Sequence, residues 1–246
     1  NKSDGIVSFF AAFFLPMPLS PSETTALLDK LDHLPKKKLG QNFLTDGNIV
    51  DKSIQLADLP PSGNVVEIGP GLGTLTHKLL ESGQTVHAVE LDKRLADNLE
   101  NSETEAIKNK QLIITKGDAV KHPLGSLPET TDQYSIVANL PYAISSAWLE
   151  SVLNTGRLPI RMVLMMQKEA VERIWANPGT KEYHALSIFI SNAYEFTEKH
   201  QVSRKCFYPS PAVDSMLIRM DLSENYFLFP KIVRVLIRKI FTQRRK

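Results

Sequence analysis

Val65-Val66-Glu67-Ile68-Gly69-Pro70-Gly71-Leu72-Gly73 decides the fold, because a β-branched apolar run ends in a glycine turn and a helical pattern follows at once. Val65 to Ile68 predicts a strand, Gly69 to Gly73 the turn, and Thr74 to Leu80 a helix with Leu75, Leu79 and Leu80 at helical spacing. Further runs lie at Thr85 to Val89, Leu112 to Thr115, Ser135 to Ala138 and Met162 to Met166. This alternation predicts an α/β fold, a parallel sheet with helices on its faces. Ligands of such sheets bind outside the carboxyl ends of the strands. Gly69, Glu90, Asp118 and Asn139 are therefore expected around one crevice.

Past Gln167, Lys168 to Trp175 reads as helix, Asn177-Pro178-Gly179 breaks it, and Ala185 to Phe196 resumes an apolar pattern. A strand signal returns at Met216 to Met220. Lys231 to Phe241 then places Ile232, Val235, Leu236 and Ile240 on one stripe of a helix and Lys231, Arg234 and Arg238 off it. The expected organisation is an N-terminal extension over 1–35, a catalytic domain over 36–222, and the opening of a small helical domain over 223–246 whose remainder is missing.

The 246 residues are 42% hydrophobic and 23% charged, an ordinary globular balance. One cysteine, Cys206, rules out an internal disulfide, and no Cys/His cluster has zinc-ligand spacing, so no metal and a cytoplasmic setting are expected. Ile6 to Leu15 is the most apolar run, far short of the ~20 residues of a membrane span. Asp4 beside Lys2 and the Pro16-Met17-Pro18 sequence suit a signal peptide poorly. Met17 is the expected natural start, with 1–16 added or read through from upstream; the alternative is an organelle presequence.

Gly69, Gly71 and Gly73 form G-x-G-x-G behind an acid, Glu67, whereas the dinucleotide fingerprint needs a glycine where Thr74 stands. This form resembles motif I of class I methyltransferases, whose donor carries an amino-acid end and no phosphate. Glu90 lies at the distance from the turn where an acid accepts from ribose hydroxyls. Asp92 is the neighbouring alternative, and either could simply favour a helix N-terminus. Asp118, after the third strand, could accept from an adenine amino group with the Ala119 N–H facing the ring, or act as a turn residue.

Asn139-Leu140-Pro141-Tyr142 follows the fourth strand and resembles the (N/D/S)-P-P-(Y/F) motif of enzymes that methylate exocyclic amines of nucleobases. An N6 amine is a poor nucleophile because its lone pair is delocalised into the ring. A site gains rate by accepting both amine hydrogens, here through the Asn139 side-chain oxygen and the Leu140 carbonyl, with Pro141 shaping the turn. Tyr142 would stack on a base taken out of its helix. Taken alone, the four residues could be only a turn.

With these motifs in order, the chain resembles the small-subunit ribosomal RNA adenine N6-dimethyltransferases, relatives of the macrolide-resistance methyltransferases of the large subunit. The likeness runs from Lys36 to Lys246. It implies a Rossmann-like class I fold, S-adenosylmethionine as cofactor, and two methyl transfers to adenosines of small-subunit RNA during ribosome biogenesis. Lys38-Leu39-Gly40-Gln41-Asn42-Phe43-Leu44 is similar to the family's N-terminal signature, which implies Gln41, Asn42 and Leu44 as cofactor positions alongside Gly69, Gly71, Gly73, Glu90, Asp118, Ala119 and Asn139. Phe207-Tyr208-Pro209-Ser210-Pro211-Ala212-Val213-Asp214-Ser215 resembles its F-x-P-x-P-x-V-D-S segment and implies Phe207 as a clamp on the target adenine opposite Tyr142. Ala212 departs from a common lysine, removing one expected RNA contact. Phe241-Thr242-Gln243-Arg244-Arg245-Lys246 looks like its basic signature.

Lys36 to Lys38, and Lys231, Arg234, Arg238, Lys239, Arg244, Arg245 and Lys246, are then expected at RNA phosphates rather than as a merely solvated surface. The partner implied is a small-subunit precursor, met by a monomer away from any membrane. The alternatives are a large-subunit RNA or DNA adenine methyltransferase, and a non-catalytic assembly or transcription factor on the same fold.

Overall fold

The computed structural model describes residues 19–243; the 1–16 leader, Met17 and Arg244-Arg245-Lys246 lie outside the described residues. The chain runs α1 (Pro21–Lys30), β1 (Phe43–Leu44), α2 (Gly47–Ala57), β2 (Asn64–Ile68), α3 (Thr74–Glu81), β3 (Thr85–Glu90), α4 (Lys93–Ser102), α5 (Thr104–Lys108) and β4 (Leu112–Lys116). It continues through β5 (Ser135–Asn139), α6 (Ser145–Thr155), β6 (Arg161–Gln167), α7 (Lys168–Ile174), α8 (Ala185–Ala193), β7 (Tyr194–Val202), β8 (Phe207–Tyr208), β9 (Ser215–Leu222) and α9 (Lys231–Thr242).

Seven strands form one sheet in the order β4-β3-β2-β5-β6-β9-β7. β4, β3, β2, β5 and β6 pair in parallel as expected. β9 is antiparallel to both neighbours, so the sheet is mixed at that edge. Val65, Val66, Val86, Ile136 and Leu164 are buried, because helices cover both faces of these apolar strands. One core layer holds Trp148 and Leu149 of α6 with Phe189 of α8. The other holds Leu75 and Leu79 of α3 with Val50 and Leu56 of α2. Among the described residues no helix is long and apolar enough to cross a membrane.

The apolar pattern from Ala185 to Phe196 is split: α8 ends at Ala193, and Tyr194 begins a strand. Cross-sheet pairing decides this, since β7 pairs with β9 from Tyr194↔Leu222 to Val202↔Ser215 and the Tyr194 hydroxyl donates to the Pro159 carbonyl.

α9 turns Arg234 and Arg238 inward beside Ile237 and Phe241, while Lys231 and Lys239 stay exposed. Arg238 pairs with Glu150 at 3.0 Å and lies over the Phe189 ring, and Arg234 donates to the Leu153 carbonyl at 3.5 Å. These two arginines therefore dock the helix on the sheet domain, where RNA contacts were expected. Ile232 and Ile240 are 66% and 68% exposed on the opposite stripe.

Candidate active site

The strand order reverses between β2 and β5, and there the ladder ends early. It pairs Val65 with Ser135 and Val66 with Ile136, while β2–β3 pairing continues to Ile68↔Val89 and β5–β6 pairing to Asn139↔Met165. The carboxyl ends of β2 and β5 thus part at the topological switch point, where doubly wound sheets take their ligands. The cleft spans about 1060 Å³ of space continuous with solvent. Gln41, Asn42, Leu44, Gly69, Gly71, Glu90, Asp118, Ala119, Asn139, Leu140 and Tyr142 line it. A Cβ on Gly69, whose φ is +65°, would stand 3.0 Å from Pro141 Cγ, so only glycine lets the turn meet the Asn139–Tyr142 box so closely.

Two expected residues are not on this wall. Gly73 has φ +86° at the N-cap of α3, and a Cβ there would lie 2.8 Å from Leu99 Cδ1. Its smallness serves the packing of α3 on α4. Phe207 is 4% exposed; it pairs with Leu44 through β1 and β8 and belongs to the core layer with Val202 and Leu217. Phe207, expected as the adenine clamp, is thus placed in this core layer rather than on the cleft wall.

On the β2–β3 side the polar groups are acids held by backbone amides. Glu90 Oε2 accepts from Gly71 N–H at 3.1 Å and Oε1 from Asp92 N–H at 2.8 Å. Burial raises the Glu90 pKa, and those two amides oppose the rise. Glu67 is buried, and its carboxylate accepts from the Thr76 hydroxyl at 2.6 Å. Burial pushes Glu67 up to about 8, against the Thr76 hydrogen bond. Asp118 accepts from Val120 N–H at 2.9 Å, which caps the turn after β4. A glycine turn without phosphate-binding lysine, a strand-end acid after β3 and a second acid after the neighbouring β4 fit a cofactor with ribose hydroxyls, an adenine and an amino-acid end.

On the β5–β6 side the groups are neutral. Asn139 Nδ2 donates to the Asn42 carbonyl at 3.2 Å, which leaves Oδ1 as the acceptor of that amide. Leu140 N–H donates to Met165 O at 3.0 Å, fixing the box to β6. The Tyr142 phenol is hydrogen-bonded to the fully buried Ser215 Oγ of β9. Burial raises the Tyr142 pKa, with Ser215 opposing, so the phenol keeps its proton at neutral pH.

Some partners were not read from the sequence. Asp92 caps α4, but its other oxygen accepts from Lys36 Nζ at 2.6 Å. Lys36 was expected at an RNA phosphate and is instead tied to this acid. Burial works against ionisation of Asp92, yet Lys36 and His33 prevail and hold its pKa below the usual range. Ser215 stands in a recognisable segment, and only the fold brings it to Tyr142. No local pattern pairs positions 36 with 92 or 142 with 215.

Comparison with known proteins agrees with this geometry. The family model described as ribosomal RNA adenine dimethylase matches residues 32–246. A ribosomal RNA small subunit methyltransferase A from Opitutus terrae is 49% identical over 231 residues, covering 94% of this chain and 83% of the relative. Among solved structures, a dimethyladenosine transferase from Plasmodium falciparum superposes with a TM-score of 0.68 at 32% identity, covering 83% of this chain and 72% of that one. The 23S rRNA methyltransferase ErmE shares the fold, with a TM-score of 0.62 at 24% identity over 82% of this chain and 78% of that one. The chain belongs to the ribosomal RNA adenine dimethylase family.

Proposed function

We propose that the protein transfers methyl groups from S-adenosylmethionine to N6 of adenosines in small-subunit ribosomal RNA, twice per adenosine, during ribosome biogenesis. The observation that carries this reading is the Asn139 amide, locked by the Asn42 carbonyl so that its oxygen is an acceptor in the same cleft as Glu90 and the glycine turn.

The donor's sulfonium supplies an electrophilic methyl group and leaves as a neutral thioether. Glu90 would give up its bond from Gly71 N–H to accept from ribose hydroxyls, Asp118 and the Ala119 N–H would hold the adenine edge, and Gln41, Asn42 and Leu44 would close the front. Asn139 Oδ1 and the Leu140 carbonyl would each accept one N6 hydrogen, drawing the nitrogen toward a tetrahedral shape with its lone pair free. Tyr142 would hold the base, which must leave its helix to reach this depth. Alignment of nitrogen and methyl supplies much of the rate, and the proton set free after transfer goes to water. The monomethylated amine keeps one N–H for the second round.

Lys37 and Lys38, beside the mouth, are assigned to RNA phosphates, and the RNA is recognised by shape and backbone. Residues 36–222 act as the catalytic domain, and α9 opens a helical RNA-binding unit. The partner is a small-subunit precursor, met by a monomer in the cytoplasm.

Labelled methyl transfer to bare small-subunit particles, large-subunit RNA and duplex DNA tests the substrate. Small-subunit particles should be labelled at least ~100-fold faster than either alternative, a ratio that buried polar recognition reaches. Equal labelling of all three would defeat the assignment.

A further inference from the structure

The front wall of the cleft, from Lys36 to Asn42, has little regular structure of its own. It holds a single 3-10 turn, Lys37–Leu39, and its backbone bonds Leu39 N–H to Lys36 O and Gly40 N–H to Lys37 O close within the segment. Side chains tie it to the sheet domain. Asp92 Oδ2 accepts from Lys36 Nζ at 2.6 Å and from Gln41 Nε2 at 3.4 Å. Gln41 Oε1 accepts from Lys36 N–H at 2.8 Å and faces His33 Nε2 at 3.1 Å. His33 and Asp92 are 3% and 4% exposed, so this is an interior network beside the cleft. Its two ends are the groups that matter for transfer: Asp92 N–H donates to Glu90, and the Asn42 carbonyl accepts from Asn139.

We infer that Asp92, acting through Lys36 and Gln41, is a positioning residue that clamps segment 36–42 over the donor site and thereby sets the Asn139 amide. The inference rests on the donor-binding reading of the cleft. Gln41, whose side chain was expected on the cofactor, spends both ends of its amide inside this clamp. A buried carboxylate is costly unless paired, and the Lys36 ammonium, half-exposed at its outer end, offsets that cost without blocking the cleft. Holding the wall in its binding shape raises donor affinity, because a site that is only part of the time assembled binds in proportion to that fraction.

The test uses the full chain and two readouts, calorimetric binding of S-adenosylhomocysteine to the protein alone and methyl transfer to small-subunit particles. Lys36→Met should weaken S-adenosylhomocysteine binding about tenfold, with KM for the particles within about twofold of the parent. Lys36→Arg should regain most of the affinity. Asp92→Asn keeps the helix cap and should match Lys36→Met, and the double variant should bind no worse than either single one, because both remove one interaction. Parental affinity in Lys36→Met, or additive losses in the double variant, would overturn the clamp. A tenfold loss of donor affinity accompanied by an equal rise in particle KM would overturn it too, since it would mark a merely structural contact. Should the parent bind S-adenosylhomocysteine with these ratios and yet methylate nothing, the clamp stands and the proposed reaction fails. A parent that does not bind the compound overturns both.

Discussion

The two walls of the cleft solve different problems. Along β2 and β3 the functional groups are carboxylates, Glu67 and Glu90, sunk below the surface and held by Thr76, Gly71 and Asp92. Along β5 and β6 they are neutral: an asparagine amide, a backbone carbonyl and a phenol bonded to Ser215. Acid oxygens suit a ligand rich in hydroxyl and amino donors, whose bonds they can accept. Beside the reacting amine a proton-donating acid would tie up the lone pair, so neutral acceptors are the chemically useful choice. The contrast matches the proposed division of labour, in which one wall binds and the other orients.

The harshest way to break that contrast is to remove the orienting acceptor. Asn139→Ala should lower single-turnover methylation by ~10²–10³-fold, as deletion of one preorganised polar group does elsewhere, while RNA binding is kept. Unchanged methylation would sink the orienting role. On the binding wall, the folded chain holds the Glu67 proton to about pH 8, whereas an unfolded one releases it near 4.5. Folding therefore takes up a proton across that window, and stability should fall as pH rises through it. Between pH 6 and 9 the parent Tm should drop by ~5 °C more than that of Glu67→Gln, which has no proton to lose. Parallel thermal profiles would show that Glu67 is ionised in the fold. The smallest effect probes the tie behind Tyr142: Tyr142→Phe and Ser215→Ala should each cost about 3–10-fold in kcat/KM for RNA, the worth of one neutral hydrogen bond. The double variant should cost no more than either alone. Additive losses would mean that the two residues act apart.

The legible part of the site follows from short range. The glycine turn, Glu90, Asp118 and the Asn139–Tyr142 box each sit within a residue or two of a strand end, and parallel strands deliver their carboxyl ends to one side. Outside them, legibility falters where a residue's role depends on a distant partner. Tyr194 continues an apolar run and still starts a strand, because β9 pairs with it. Phe207 sits in a recognisable segment but packs into the core beneath Leu44. Arg234 and Arg238 were read as RNA contacts from their charge and the base pocket expected nearby, and α6 and α8 claim them. α1 went unread, although Leu19 and Leu28 bury themselves against Phe43, Leu72 and Leu95.

By itself, then, the order of residues determined the α/β architecture and the chemistry of the cleft, since strand periodicity and the residues that end each strand are local properties. Tertiary structure alone decided the reversal of β9, the parting of β2 from β5, the docking of α9 through Arg234 and Arg238 and the bond from Lys36 to Asp92. These depend on contacts between residues far apart in the chain, whose energies are settled only when the whole core is packed.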